Sequence, residues 1–163
     1  MIHLVSGDIL LSTSDAIVHG IAPNDHFDSG LALTLRQDWP ALYKDFRHYL
    51  HTAHPTPGGL WVWARADGRR VINLFTQEPA PSEHARPGRA SYHNLNLCLR
   101  ELHKLVEKEG IRSLALPRLA TGVGGLEWDQ VEPLVRQHLG TLSIPVHIYT
   151  TYQKGVKAAE QGQ

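Results

Sequence analysis

The chain has 163 residues, 42% apolar and 20% charged, which suits one globular domain with a single core. Its 16 basic and 16 acidic residues cancel, so it lacks the broad positive field of a nonspecific nucleic-acid binder. A single cysteine, Cys98, excludes an internal disulfide and fits a reducing compartment.

In chain order, Met1 to Val5 reads as a short strand ended by Gly7-Asp8, and Asp15 to His19 as a second strand. A polar loop follows to Ser29, which is placed to cap a helix carrying Leu31, Leu33 and Leu35. Trp39-Pro40 breaks that helix, and Pro40 suits the first turn of the next, which runs to about Ala53. Leu60 to Ala64 and Val71 to Thr76 alternate like strands and are joined through Asp67-Gly68, a hairpin signal. Gln77 to Arg89 holds three prolines and no periodicity, and is expected to be a long loop. Ser91 to Glu109 has Leu95, Leu99, Leu102 and Val106 at helical spacing, with Gly110 as its stop. Cys98 lies on that apolar stripe and reads as a buried, inert thiol. A strand at Ser113 to Leu116, a helix at Trp128 to Leu139 and a strand at Val146 to Tyr149 complete the pattern.

Strands alternating with helices give an α/β class, a three-layer α/β/α sandwich around a central mixed sheet. Residues 1–150 form its one domain. Residues 151–163 form a polar C-terminal tail, expected to fray from Lys154 onward. Neither a signal peptide nor an apolar run near about 18 residues is present, so the cytoplasm is the expected compartment, without a membrane partner.

The stretch Leu116 to Trp128, LPRLATGVGGLEW, carries most of the functional signal. An apolar strand runs into Gly122, Gly124 and Gly125, and a helix follows. Glycines admit close backbone approach, their N–H groups can point at an anion, and a helix start favours negative charge. The lysine of a P-loop and the third glycine of a dinucleotide fingerprint are both missing. A glycine turn without a ligand is the competing reading. Ligands of α/β sheets sit beyond the carboxyl ends of strands. That nominates the loops at Gly7-Asp8, Gly20 to Ser29, Gln77 to Arg89 and Ala120 to Glu127. Arg65, Arg69, Arg70, Arg86 and Arg89 make a basic stretch that suits either an anionic ligand or a solvated face.

Taken together, V-x-G-D-I-L (Val5 to Leu10), D-A-I-V-H (Asp15 to His19), S-G-L-A (Ser29 to Ala32) and P-R-L-A-T-G-V-G-G-L-E-W (Pro117 to Trp128) resemble the macro domain family, whose members bind ADP-ribose. The resemblance is greatest to the branch containing the human terminal ADP-ribose protein glycohydrolase and the yeast-type ADP-ribose-1''-phosphate phosphatases. It implies that Asp8, with Ile9 beside it, reads the adenine amino group. It places Ser29, Gly30, Leu31 and Ala32 at the distal ribose and diphosphate. Thr121, Gly122, Val123, Gly124, Gly125 and Leu126 become the second diphosphate loop, and Thr76 faces the same cleft. For Asp8, a simple turn aspartate is the competing reading.

Two departures matter. The branch's catalytic lysine is matched here by Gln77, which cannot form a Schiff base. Its catalytic aspartate is matched by Gly124. Asp28 becomes the candidate base for a water attacking C1'', with Asp25 and His26 behind it, and helix capping is its competing role. His19, helped by Asn24, is the candidate donor to a leaving oxygen, against a purely structural role. His48, His51 and His54 lack a completing carboxylate, so no metal is expected, nor any cofactor. The expected function is an ADP-ribose-binding hydrolase acting on ADP-ribose-1''-phosphate or on an ADP-ribosyl conjugate of protein or nucleic acid. It is expected to act as a monomer. The alternative is a reader module that binds without turnover.

Overall fold

The structure is a computed structural model that describes residues 1–160. Strands β1 (Ile2–Gly7), β2 (Ala16–Ile21), β3 (Leu60–Ala64), β4 (Arg70–Phe75), β5 (Leu114–Pro117) and β6 (Val146–Tyr152) form one sheet in the order β1-β6-β5-β2-β4-β3. All neighbours are parallel except the β3–β4 hairpin, whose turn uses Gly68 at φ 88°. Helices α1 (Gly30–Asp38), α2 (Pro40–Ala53), α3 (Tyr92–Glu109) and α4 (Trp128–Leu139) complete the mixed-sheet α/β/α sandwich.

Alternation along β2 divides the core. Ala16 and Val18 point into the layer filled by Leu95, Leu99, Leu102, Val131 and Val135 of α3 and α4. Ile17 and Ile21 point the other way, toward α1 and α2. The α3 stripe is buried at every apolar position anticipated, each side chain contributing on the order of 1.5–3 kcal/mol. Ser91 caps this helix by accepting from the Asn94 amide, and Gly110 closes it at φ 64°. Cys98 is buried and donates to the Gly59 carbonyl at 3.4 Å, and burial pushes its thiol up to about 12. Among the described residues no helix is long and apolar enough to cross a membrane.

The α1–α2 layer is aromatic. Phe27, Phe46 and Phe75 are fully buried or nearly so, and Phe46 packs on Phe27 and Trp61 with centroids 5.2 and 5.5 Å apart. Phe27 takes a left-handed φ of 55° so that its ring turns inward.

The segment after β6 departs from the expected frayed tail. β6 extends to Tyr152 because it pairs with β1 as far as Gly7. The chain then folds back: the Gln153 amide donates to the Gly7 carbonyl, the Asp8 amide to the Val156 carbonyl, and Ala158 is buried. Satisfied backbone groups and a buried Glu160 carboxylate hold this polar stretch without an apolar pattern. Residues 161–163 of that expected tail lie outside the described residues.

Phe46 → Ala is expected to cost roughly 3–5 kcal/mol in urea unfolding, as for a cavity at the centre of a packed aromatic cluster. A loss below about 1 kcal/mol would mean that this layer re-collapses freely.

Candidate functional site

The parallel strands β2, β4, β5 and β6 end at one edge of the sheet, and two adjoining hollows open there. The first, about 220 Å³, is lined by His19 to Ile21, Asp25, Ser29 to Ala32, Gln77, Pro87, Pro117 to Ala120 and Gly122 to Gly124. The second, about 390 Å³, is lined by Gly7 to Leu10, Gly30, Leu31, Thr34, Pro117, Tyr149 and Tyr152. Gly30, Leu31 and Pro117 belong to both, so the two form one elongated site.

Unspent backbone amides set the chemistry of the first hollow. α1 begins at Gly30, and the first N–H groups of a helix have no partner within it. Ser29 stands at the cap position, yet its side chain makes no capping bond. Across the hollow, the glycine loop spends the amides of Thr121, Gly125 and Leu126 on its own carbonyls of Arg118, Gly122 and Ala120. Among the described residues no protein acceptor takes the amides of Gly122, Val123 or Gly124. Two sets of free donors and the positive end of α1 therefore face one space, which suits a diphosphate. The helix start that faces the hollow is that of α1. The start of α4 lies outside the lining, and its Glu127 amide donates to the Tyr92 hydroxyl at 3.2 Å.

The glycines have distinct reasons. A Cβ on Gly124 would lie 2.6 Å from the Ala120 carbonyl oxygen and 2.9 Å from the Ala90 Cβ. Gly125 needs its left-handed φ of 78° and lies against the Arg89 guanidinium. Gly122 has open space above it.

The loops that frame this hollow are tied together. Asn24 exchanges hydrogen bonds with Ala80 backbone, donating from Nδ2 at 3.0 Å and accepting at Oδ1 at 2.9 Å, and His26 Nε2 lies 2.9 Å from the Glu83 carbonyl. The Asp25 carboxylate accepts from the Ala22 and Phe27 amides. From the 77–89 loop, Gln77 and Pro87 stand in the wall of the hollow. Gln77 bridges to Ala90, and its Nε2 donates to the Gly88 carbonyl at 3.0 Å.

The structure sorts the anticipated residues. It brings together His19, Ser29, Gly30, Leu31, Ala32, Gly122, Val123 and Gly124 in the first hollow, and Asp8 and Ile9 in the second. Asp28 is exposed and outside both linings. Thr76, Thr121, Gly125 and Leu126 also stand behind or beside the lining. Thr76 is fully buried beneath Gly20, and its Oγ1 has no partner among the described residues. Asn24 and His26 are engaged in loop contacts, while Asp25 lines the first hollow with one backbone amide held at each carboxylate oxygen. The basic stretch divides: Arg69 binds the Ser12 carbonyl and Asp67 at the opposite edge of the sheet, while Arg89 reaches the Gly125 carbonyl.

His19 is only 2% exposed, and its Nε2 lies 2.6 Å from Asn73 Oδ1. Asn73 gives its amide hydrogens to the Trp61 and Val71 carbonyls, so its oxygen must accept and His19 Nε2 must donate. Burial lowers the His19 pKa, against the opposing effects of the Asn73 hydrogen bond and the Asp25 charge. The ring is a neutral wall of the cleft, packed edge-on to Phe27.

Sequence reasoning passed over Tyr149, Tyr152, Pro117, Arg118 and Asn73. The first four had a usable signal, their position at carboxyl ends of parallel strands. Asn73 had none, because its value depends on lying opposite His19 across the β2–β4 pairing.

A protein-family model described as Macro domain matches residues 42–135. A DNA ADP-ribosyl transferase–DNA ADP-ribosyl glycohydrolase fusion protein of Thermosipho africanus is 28% identical over 94% of this chain and 42% of its own length. The chain therefore spans about two fifths of that relative. The human ADP-ribose glycohydrolase OARD1 is 23% identical, over 90% of this chain and 89% of its own length. The structure of Thermosipho africanus DarTG in complex with ADP-ribose superposes with a TM-score of 0.78 at 25% identity, covering 96% of this chain and 42% of that one.

An imidazole that resists protonation makes folding stability fall in acid. Below about pH 6.5 the unfolded chain takes up a proton that the folded chain refuses. His19 → Gln, which keeps a donor toward Asn73, is expected to lose less Tm than the wild type between about pH 7.5 and 5.5. Parallel pH curves for the two proteins would show that His19 titrates freely.

Proposed function

The chain belongs to the macro domain family, and from that premise we propose that it binds ADP-ribose and hydrolyses the bond from C1'' of the terminal ribose to its substituent. The carrying observation is the pair of free amide sets, Gly30 to Ala32 and Gly122 to Gly124, facing each other across one hollow. They would take the diphosphate. Asp8 and the Tyr149 wall would take adenine in the second hollow, and the distal ribose would lie against Gln77 and Ala120. The relatives' names, DNA ADP-ribosyl glycohydrolase and ADP-ribose glycohydrolase, support a glycosidic rather than a phosphoryl bond as the one cleaved. The compartment that suits such a substrate and the reduced Cys98 is the cytoplasm.

Gln77 carries the chemistry in this reading. An amide cannot attack C1'' to form a lasting adduct. It is 4% exposed, and the hydrogen bond to Gly88 commits its nitrogen side, which leaves Oε1 to accept from a water in the hollow. A sugar cation forming beside the ligand's own diphosphate needs an oriented water more than a strong base. Asp28, the base anticipated from the sequence, stands exposed outside both linings and carries no step in this reading. A reader that binds without turnover is the second reading, favoured by Gln77 and Gly124 standing where the branch has its lysine and aspartate.

Gly122 → Glu is expected to fold normally, since nothing crowds that Cβ. It should weaken ADP-ribose binding more than about 100-fold in calorimetry, roughly 2.7 kcal/mol, by placing a carboxylate where the diphosphate lies. Unchanged affinity would remove this loop from the site.

Gln77 → Ala should keep binding within a few-fold and lose roughly 10- to 100-fold in release of ADP-ribose from an ADP-ribosylated oligonucleotide. Asp28 → Ala, assayed alongside, is expected to retain most activity. The reverse order would move the water-activating role to Asp28, and binding without any wild-type release would establish the reader.

A further inference from the structure

The segment Gln153 to Glu160 does more than cover the sheet edge. It touches the base hollow at both of its chemical features. The Gly155 amide donates to Asp8 Oδ2 at 2.9 Å, while the Leu10 amide donates to Oδ1 at 3.0 Å. Each carboxylate oxygen is thus aligned by one backbone donor and keeps lone-pair capacity for a ligand. The segment passes so closely that a Cβ on Gly7 would lie 2.8 Å from the Val156 oxygen and from the Ala158 nitrogen.

Its end is locked by one buried carboxylate. The Glu160 side chain is 4% exposed. Oε2 accepts from Ser12 Oγ at 2.7 Å, Ser14 Oγ at 3.2 Å and Tyr149 hydroxyl at 2.7 Å. Oε1 accepts from the Thr13 amide at 3.1 Å and its hydroxyl at 3.3 Å, and His147 Nδ1 lies 3.8 Å from Oε2. A carboxylate this buried persists because donors surround it. Burial alone would raise its pKa, but the bonds from Ser12, Tyr149 and Thr13 and the attraction of His147 outweigh burial and lower it. Tyr149, whose hydroxyl Glu160 holds, is a wall of the same base hollow.

We propose that Gln153 to Glu160 is a strap that sets base selectivity, Glu160 acting as a positioning residue that holds the Gly155 amide on Asp8 and the Tyr149 ring in the wall. This rests on the reading that the Asp8 hollow takes adenine. An adenine amino group donates to an aligned carboxylate, whereas the keto oxygen of hypoxanthine meets it acceptor to acceptor. Selectivity between the two bases therefore reports the alignment of Asp8, which general loss of stability does not alter in the molecules that remain folded.

The test is calorimetry on the full chain with ADP-ribose and with its hypoxanthine counterpart, inosine diphosphate ribose. The proteins are wild type, Glu160 → Gln and Glu160 → Ala, each first checked for a cooperative melt. The wild type should prefer the adenine ligand. Glu160 → Ala should reduce that preference about tenfold, the scale of one charge-assisted hydrogen bond misaligned, with the loss falling on ADP-ribose. Glu160 → Gln retains one acceptor and should fall between them, and it carries the test alone if the alanine variant does not fold. A wild type that binds ADP-ribose with adenine preference, beside a folded Glu160 variant with the same preference, overturns the strap and leaves the adenine reading intact. A wild type that ignores the base, or fails to bind ADP-ribose, overturns the adenine reading and the strap with it.

Discussion

Backbone amides that the fold cannot satisfy internally are the constraint around which this molecule is arranged. The first turn of α1 and the centre of the glycine loop both expose N–H groups, and both are brought to the same edge by parallel strands. Such donors can remain open only where water or a ligand reaches them. Pro87, Gln77, His19, Gly20 and Pro117 to Ala120 line that space. The two ends of the site differ in the same way: free amides converge in the first hollow, while Asp8 and two tyrosines line the second.

Chemistry at the far ribose is limited by packing as much as by residue identity. At Gly124 the loop runs so close to Ala120 and Ala90 that any side chain, an aspartate included, would force the backbone to move. A side chain at this position would therefore disturb the neighbouring free amides of Gly122 and Val123. Gln77 is similarly bound, with its amide nitrogen held by Gly88 in a loop that is itself stapled to Asn24. Among the described residues that line the two hollows there is no lysine.

The polar groups behind the cleft are held by mutual satisfaction. Asn73 spends both amide hydrogens on carbonyls and its oxygen on His19, whose pKa burial lowers against that bond. Glu160 does the same work on the other side of the sheet edge, gathering Ser12, Thr13, Ser14 and Tyr149. Buried polar clusters of this kind specify one arrangement, since a displaced member leaves its partners without hydrogen bonds.

Local periodicity and turn chemistry located the main elements, apart from the β6 extension that pairing with β1 supplies. The α3 stripe, the Asp67-Gly68 hairpin and the break at Trp39-Pro40 all stand where local spacing and turn chemistry put them, because those signals span only a few residues. The glycine loop was legible for the same reason, as were Asp8 and the Ser29 to Ala32 segment through their motif. Tertiary structure alone decided which of these side chains meet. Asp28 and Asp25 are nearly adjacent in sequence, yet one faces solvent and the other is buried in the wall of the first hollow, held by the Ala22 and Phe27 amides. The segment after Tyr152 has no apolar period, so its place against Gly7 and Asp8 was hidden. Contacts between residues nearly 150 positions apart, such as Gly155 with Asp8, are fixed by strand order and by which buried polar atoms need partners, and neither quantity is local.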